Sequence, residues 1–166
     1  MQQTLAKVGQ GLDLAIDWGW IDRRPTRIKR LTESQGRITY LTVDQVARLI
    51  ECAKQDQNPQ VYPFIVIGVE TSMRRMEILS VRRENIDLAR RIIFIPKAKA
   101  GAREQPITAS LATFLRDWMA ATDDESPWLF PSPTAKSGHA MDVRIPFRRV
   151  VLAAGLDPDL IVRHTL

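Results

Sequence analysis

The chain has 166 residues, of which 45% are hydrophobic and 26% charged, a composition typical of a globular protein and unlike that of an intrinsically disordered one. Its single cysteine, Cys52, excludes an internal disulfide. No apolar run approaches the roughly 18 residues that cross a bilayer, and the N-terminus has no signal-peptide pattern, so we expect a cytoplasmic protein with no membrane partner.

Positive charge is concentrated in two stretches of a chain whose formal net charge is +5. Residues 22–37 contain six Lys or Arg against two Asp or Glu, and residues 70–103 contain nine against four. Clustering of this kind is typical of a surface that binds the backbone of a nucleic acid. A basic face that is merely solvated accounts for the charge equally well at this point.

The first predicted element is an amphipathic helix over residues 3–18, closed by Trp-Gly-Trp-Ile at residues 18–21. Its two tryptophans fit packing anchors better than base-stacking groups. Because this helix has nothing before it to pack against, we expect residues 1–21 to be the last element of a preceding domain. Residues 22–40 are basic and polar and contain Pro25 and Gly36, which indicates an interdomain linker.

A second domain is predicted from residue 41 onward. Thr42 and Gln45 have the spacing of a capping box that starts a helix. A nearly all-apolar helix from about Gln60 to Thr71 should lie at the centre of the core, and a helix from about Arg74 to Val81 follows it.

The pattern then changes to that of a hairpin. Residues 92–95 (Ile-Ile-Phe-Ile) predict a strand, and residues 104–107 can return as its partner across a loop that carries Lys97, Lys99 and Arg103. Helices are predicted at residues 109–120 and 142–154, the latter closed by Gly155, and residues 160–166 begin a further helix. These elements predict a mainly α protein with a small antiparallel β-sheet, an α+β fold.

Arg74 and Glu77 form the most informative pair in the sequence. An arginine at the meeting point of two buried helices needs an anionic partner, and Glu77 would share its helical face. A guanidinium held in this way is suited to gripping two oxygens of a phosphate, whereas an ordinary surface ion pair is the simpler alternative. No His, Cys, Asp or Glu cluster has metal-ligand spacing, so we expect neither a metal nor another cofactor.

Several stretches, in order along the chain, resemble the tyrosine recombinases of the phage integrase family. The resemblance covers about residues 10–166 and implies the catalytic-domain (DNA breaking-rejoining) fold for residues 41–166, incomplete at its C-terminus. It makes residues 1–21 the last helix of the family's core-binding domain. The stretches that carry it are residues 18–21 with Pro25, residues 41–46 (Leu-Thr-Val-Asp-Gln-Val), residues 71–78, residues 99–101 (Lys-Ala-Gly), residues 129–132 (Leu-Phe-Pro-Ser) and residues 163–166 (Arg-His-Thr-Leu).

The resemblance also implies a function, which is site-specific recombination of double-stranded DNA by metal-free transesterification through a 3′-phosphotyrosyl intermediate. It makes Arg74 the first catalytic arginine, Glu77 its support, Lys99 the general acid for the leaving 5′ oxygen and His164 a further catalytic residue. Lys97 competes with Lys99 for the general-acid role. The full-length protein would assemble as a tetramer on DNA, in the bacterial nucleoid or on a phage-derived element. The cations expected to contact the DNA backbone are Arg23, Arg24, Arg27, Lys29, Arg30, Arg75, Lys97 and Arg103.

Departures from the family pattern limit what this chain should do. Ser72 stands where the family usually has glycine, and the second arginine and the nucleophilic tyrosine are expected only after Leu166. Tyr40 and Tyr62 are poorly placed to replace that nucleophile, so we expect the chain as given not to cleave DNA. The alternatives are a non-catalytic DNA-binding or regulatory protein with the same fold and, more distantly, a helical protein-interaction domain with a solvated basic face.

Overall fold

The computed structural model describes residues 2–26, 39–98, 101–122, 125–163 and 165. The chain divides into two compact units, Met1–Ile38 and Thr39–Leu166. Most of the predicted linker, residues 22–40, lies outside the described residues. The assignment of residues 1–21 to a core-binding domain, and of residues 41–166 to a catalytic domain, therefore stays a prediction.

The first unit contains one described helix, α1 (Gln2–Asp17). Gly19 follows in a left-handed conformation with φ +69°, which lets the amide of Trp20 bond back to the Ala15 carbonyl at 2.9 Å. The rings of Trp18 and Trp20 meet edge to face with their centroids 4.8 Å apart. They are 59% and 73% exposed, so within this unit the expected burial of the tryptophans is not found.

The core of the second unit is built around an apolar helix. The sequence correctly predicts the capping box of α2 (Val43–Lys54), in which the amide of Thr42 donates to the Gln45 side chain at 2.8 Å and the Thr42 hydroxyl accepts from the Gln45 amide. Helix α3 (Val61–Thr71) packs against α2, against the short helix α4 (Arg75–Leu79) and against α5 (Ala109–Ala121). Because its neighbours surround α3, Phe64, Ile65 and Ile67 are completely buried.

A three-stranded antiparallel sheet stands beside the helices, in the order β1 (Ile86–Asp87), β2 (Ile92–Ile95) and β3 (Arg103–Pro106). Strand β2 is found where the sequence predicts it, whereas β3 begins one residue earlier than expected, because Arg103 pairs with Ile95. Two residues are too few to form a pattern, so β1 was not predicted. Alternate residues of β2 point into the core, with Ile93 and Ile95 buried and Phe94 42% exposed.

Two further helices complete the unit, α5 and α6 (Arg144–Ala153). The Thr108 hydroxyl caps the start of α5, and the Arg83 guanidinium donates to two carbonyls at its end, those of Met119 at 3.3 Å and Thr122 at 3.0 Å. Helix α6 packs against α2. The mainly α prediction with a small antiparallel sheet is confirmed.

The predicted helix over residues 160–166 is wrong for the residues that the structure describes there, which form turns. Local hydrogen bonds close these turns: the Asp157 carboxylate accepts from the Asp159 amide at 2.8 Å, and the Thr165 hydroxyl accepts from the Val162 amide at 3.1 Å while the Thr165 amide donates to the Val162 carbonyl at 2.8 Å. None of the helices in the described part of the chain combines the length and the apolar character that a membrane crossing requires.

Candidate functional site

Arg74 lies in the connection between α3 and α4. Helix α3 ends at Thr71, and Ser72 reverses the chain in a left-handed conformation with φ +51°. Arg74 is extended, with φ −66° and ψ 146°, and immediately precedes the first residue of α4. The expected pairing of Arg74 with Glu77 is therefore found, although Arg74 stands one residue before the helix and Glu77, in its first turn, reaches back toward it.

The carboxylate of Glu77 holds Arg74 at two points. It accepts hydrogen bonds from the Arg74 backbone amide and from Arg74 Nη1, each at 3.0 Å. The side chain of Glu77 is only 6% exposed, whereas that of Arg74 is 60% exposed. The buried charge is thus the carboxylate and not the arginine, and the guanidinium is held while it faces solvent.

Arg103, on β3, supplies a third donor to the same carboxylate. Its Nη2 atom lies 3.0 Å from Glu77 Oε2, and its Nη1 atom donates to the side chain of Gln105. Burial acts to raise the pKa of Glu77, but the hydrogen bonds from the backbone and side chain of Arg74 and from Arg103 together outweigh it, so the pKa lies below its ordinary value. Glu77 therefore remains an anion between two arginines.

A second carboxylate, Asp142, gathers three arginines from separate parts of the chain. Asp142 Oδ1 lies 3.2 Å from Arg75 Nη1 and forms an ion pair with Arg163, while Asp142 Oδ2 lies 3.5 Å from Arg144 Nε. Partial burial acts to raise the pKa of Asp142, but the charges of Arg163 and Arg75 and the hydrogen bonds from Arg163 and the Arg144 amide lower it overall. The C-terminal segment is thus tied to the residue that follows Arg74.

The hairpin between β2 and β3 is described in part. Lys97 is exposed and lines a hollow of about 480 Å³ together with Glu77, Trp128 and His139. The Arg82 guanidinium lies 4.9 Å from the centroid of the Trp128 ring, and the ring of His139 lies tilted against Trp128 with its centroid 4.6 Å away. Lys99 lies outside the described residues, so the choice between Lys97 and Lys99 stays open.

Only some of the other predicted site residues lie in the described part of the chain. His164, Arg27, Lys29 and Arg30 lie outside the described residues, and no geometry can be given for them. Arg23 is exposed, and Arg24 is paired with Asp13 of α1 at 2.5 Å, so this guanidinium already has a partner in its own unit.

Neither tyrosine lies in the connection that holds Arg74. Tyr62, on α3, packs edge to face against Phe114 and Trp118 of α5, with centroid distances of 5.2 and 6.2 Å. Tyr40 precedes α2 and is 81% exposed. Within the described residues, no three His, Cys, Asp or Glu side chains lie close enough together to hold a metal ion.

A comparison with protein families adds an independent observation to this geometry. The sequence profile described as the phage integrase family matches residues 39–166, which is most of the chain and includes Arg74, Glu77, both hairpin lysines and Asp142. The chain belongs to the phage integrase family.

A curated relative of the chain is the shufflon-specific DNA recombinase of Escherichia coli. The two sequences are 31% identical over 103 residues, which is 61% of this chain and 27% of the E. coli protein. The match thus spans about a quarter of that relative.

Solved structures of integrases and recombinases share the fold. The integrase of the transposon Tn1549, solved in complex with circular intermediate DNA, aligns over 98% of this chain and 62% of its own, with a TM-score of 0.77 and 16% identity. XerA recombinase aligns over 76% of this chain and 47% of its own, with a TM-score of 0.60 and 21% identity. The catalytic domain of bacteriophage HP1 integrase aligns over 78% and 69%, with a TM-score of 0.56 and 19% identity.

Two charged residues of this integrase-family chain were not singled out from the sequence. In the sequence, Asp142 indicates only the start of a helix, and Arg163 only forms part of a motif around His164. A carboxylate just before a helix is a common N-terminal signal, so nothing local indicated that its other partners come from residues 75 and 163. Their proximity depends on the packing of three separate segments.

Proposed function

We propose that this chain is the DNA-binding and phosphate-activating part of a site-specific DNA recombinase. The observation that carries the proposal is the arrangement at Glu77, whose buried carboxylate is bonded to both the backbone and the side chain of Arg74 while the Arg74 guanidinium is 60% exposed. A guanidinium fixed at one edge and open at the other is suited to bind two oxygens of a phosphodiester.

The proposed reaction is transesterification, in which a tyrosine attacks a DNA phosphate, a 3′-phosphotyrosyl bond forms and the 5′ oxygen leaves. Arg74 would offset the charge that develops on the non-bridging oxygens, which is the main requirement for phosphoryl transfer. Lys99 or Lys97 would protonate the leaving oxygen, and His164 would assist at the phosphate. In support of this division, Lys97 lines the same hollow as Glu77.

A second candidate function is DNA binding without cleavage. It is supported by the packing of Tyr62, one of the chain's two tyrosines, against α5. We therefore expect residues 1–166 by themselves to bind duplex DNA and to form no covalent complex with it. In a longer form that carries a nucleophilic tyrosine, Arg74→Lys should abolish strand cleavage and leave duplex affinity nearly unchanged.

The primary test is duplex binding by residues 1–166, measured by fluorescence anisotropy at several salt concentrations between about 50 and 200 mM. Affinity should fall steeply as salt rises, because each phosphate contact releases counterions. An affinity that does not change with salt concentration would contradict the proposed DNA binding. A nicked duplex followed by a denaturing gel then tests for covalent capture, and a trapped complex would contradict the proposed absence of a nucleophile.

A further inference from the structure

Asp142 lies where three segments of the second unit meet. Arg75 belongs to α4, Arg144 is the first residue of α6, and Arg163 comes from the turns that follow that helix. All three guanidinium groups lie against the two oxygens of one carboxylate. Three positive charges and one negative charge leave this cluster with a net charge of +2.

Such a cluster depends on its carboxylate. Guanidinium groups repel one another at short range, and a shared anion turns this repulsion into attraction. Each guanidinium carries five N–H donors, more than its contacts with Asp142 use. The side chains of Arg75, Arg144 and Arg163 are 29%, 73% and 22% exposed, so all three reach solvent.

We propose that Asp142 is a positioning residue that holds Arg75, Arg144 and Arg163 together as one group that binds a phosphate of duplex DNA, beside Arg74. This inference rests on the proposed DNA binding. Asp142 itself does not contact the DNA; it sets the spacing of the three cations and joins the C-terminal segment to the start of α4. Without it, the three side chains move apart and the phosphate loses several donors at once.

The variant Asp142→Asn separates this role from a purely structural one. Asparagine keeps the size of the side chain and an oxygen that can accept from the Arg144 amide, a bond of 3.0 Å in the wild type, so the start of α6 is preserved. The substitution removes a negative charge and raises the net charge of the protein. Simple long-range electrostatics therefore predicts tighter DNA binding, whereas loss of positioning predicts weaker binding.

Asp159→Asn is the matched control. Asp159 pairs with Arg148 of α6 at 3.2 Å and its side chain is 80% exposed, so the same charge is removed from a solvated pair near the same helix. We expect Asp159→Asn to bind duplex DNA as tightly as the wild type or more tightly. Asp142→Asn should bind about tenfold more weakly near 0.1 M salt, with a shallower salt dependence, because one or two phosphate contacts are lost.

Each outcome bears on one proposal. If the wild type shows no salt-dependent binding, the proposed function fails. If the wild type binds and folded Asp142→Asn binds as tightly as Asp159→Asn, the positioning role of Asp142 is overturned. Should Asp142→Asn prove unfolded by circular dichroism, the exposed Arg144 provides a second test: Arg144→Gln should lower the salt slope by about 0.9, and an unchanged slope contradicts the proposal.

Discussion

The carboxylate of Glu77 shows how one side chain can be buried and charged at the same time. Burial alone would favour its protonated form, but three N–H donors from Arg74 and Arg103 favour the anion. A buried anion that is fully paired is tolerated, and its loss leaves its partners without a counter-charge. The position of Arg74 therefore depends on a residue that solvent barely reaches.

Glu77→Gln should lower the free energy of unfolding by about 2 kcal/mol, because the amide keeps the volume but cannot satisfy both guanidinium groups. The measurement is urea denaturation followed by circular dichroism. Glu84→Gln is the control, since the Glu84 side chain is 64% exposed and pairs with Arg82 at the surface. The control should change stability by less than about 0.5 kcal/mol, and equal losses for the two variants would mean that burial of Glu77 has no energetic consequence.

At the scale of elements, the β2–β3 hairpin is joined to α4 through Arg103. This residue opens β3 opposite Ile95, at the root of the loop that carries the two candidate lysines. The sequence places Arg103 among the DNA-contacting cations, but its contacts with Glu77 and Gln105 favour a role within the protein. The hairpin and the Arg74 connection are thus held to each other by one buried carboxylate.

Arg103→Gln and Lys97→Gln should therefore differ in their effect on DNA binding. If Lys97 contacts a phosphate, Lys97→Gln lowers the salt slope of duplex affinity by about 0.9, whereas Arg103→Gln leaves the slope nearly unchanged. Arg103→Gln should instead raise the pKa of Glu77, which can be followed by carbon-13 NMR of the carboxyl group. Equal losses of slope would return Arg103 to the DNA-contacting cations.

A second junction between elements is the ion pair of Asp56 and Arg149. It joins the turn after α2 to α6, with Arg149 Nη2 and Nε donating to the Asp56 carboxylate at 2.6 and 3.0 Å. The hydrogen bonds from Arg149 are the largest influence on the pKa of Asp56 and hold it below its ordinary value. Folded Asp56 consequently binds a proton less readily than unfolded Asp56.

Because folding lowers the pKa of Asp56, the ion pair should stabilise the protein at neutral pH and lose this effect in acid. The contribution of Asp56 is fully present above the ordinary carboxyl pKa of about 4 and disappears as the pH falls through the lower folded pKa. Asp56→Asn should therefore cost about 1–2 kcal/mol of unfolding free energy at neutral pH and progressively less below about pH 4. Thermal unfolding across this range checks it, with the exposed Asp117→Asn as control, and a cost independent of pH would contradict the linkage.

At the scale of the whole molecule, the hydrophobic core belongs to the second unit. Every buried apolar residue of the described part of the chain lies between Leu49 and Ile161. Five of the predicted DNA-contacting cations, by contrast, belong to the first unit. We therefore expect the stability of the fold to depend on the second unit alone, whereas the affinity for DNA depends on both parts of the chain.

A protein that begins at Thr39 should unfold cooperatively with a melting temperature close to that of residues 1–166, because it keeps the entire core. It should also bind duplex DNA more weakly and with a lower salt slope, since it lacks Arg23, Arg24, Arg27, Lys29 and Arg30. Calorimetry and salt-dependent anisotropy test the two halves of this prediction. An unchanged slope would remove these five residues from the DNA-contacting set.

Much of this protein follows from the sequence by itself. Apolar periodicity and capping signals act over a few neighbouring residues, so the capping box at Thr42, the apolar helix α3 and the strand at residues 92–95 could be read directly from the chain. The order of short motifs was enough to indicate the family, because each motif is a local pattern.

Only the tertiary structure decided how the charged groups are shared. Glu77 pairs with Arg103, 26 residues further along the chain, and Asp142 pairs with Arg75 of α4 and with Arg163, 21 residues after it. Local patterns could not reveal these partners, because an ion pair between distant residues depends on how helices and strands pack. The turns near residue 160 have a different, local cause, since the side chains of Asp157 and Thr165 accept hydrogen bonds from the backbone amides of Asp159 and Val162.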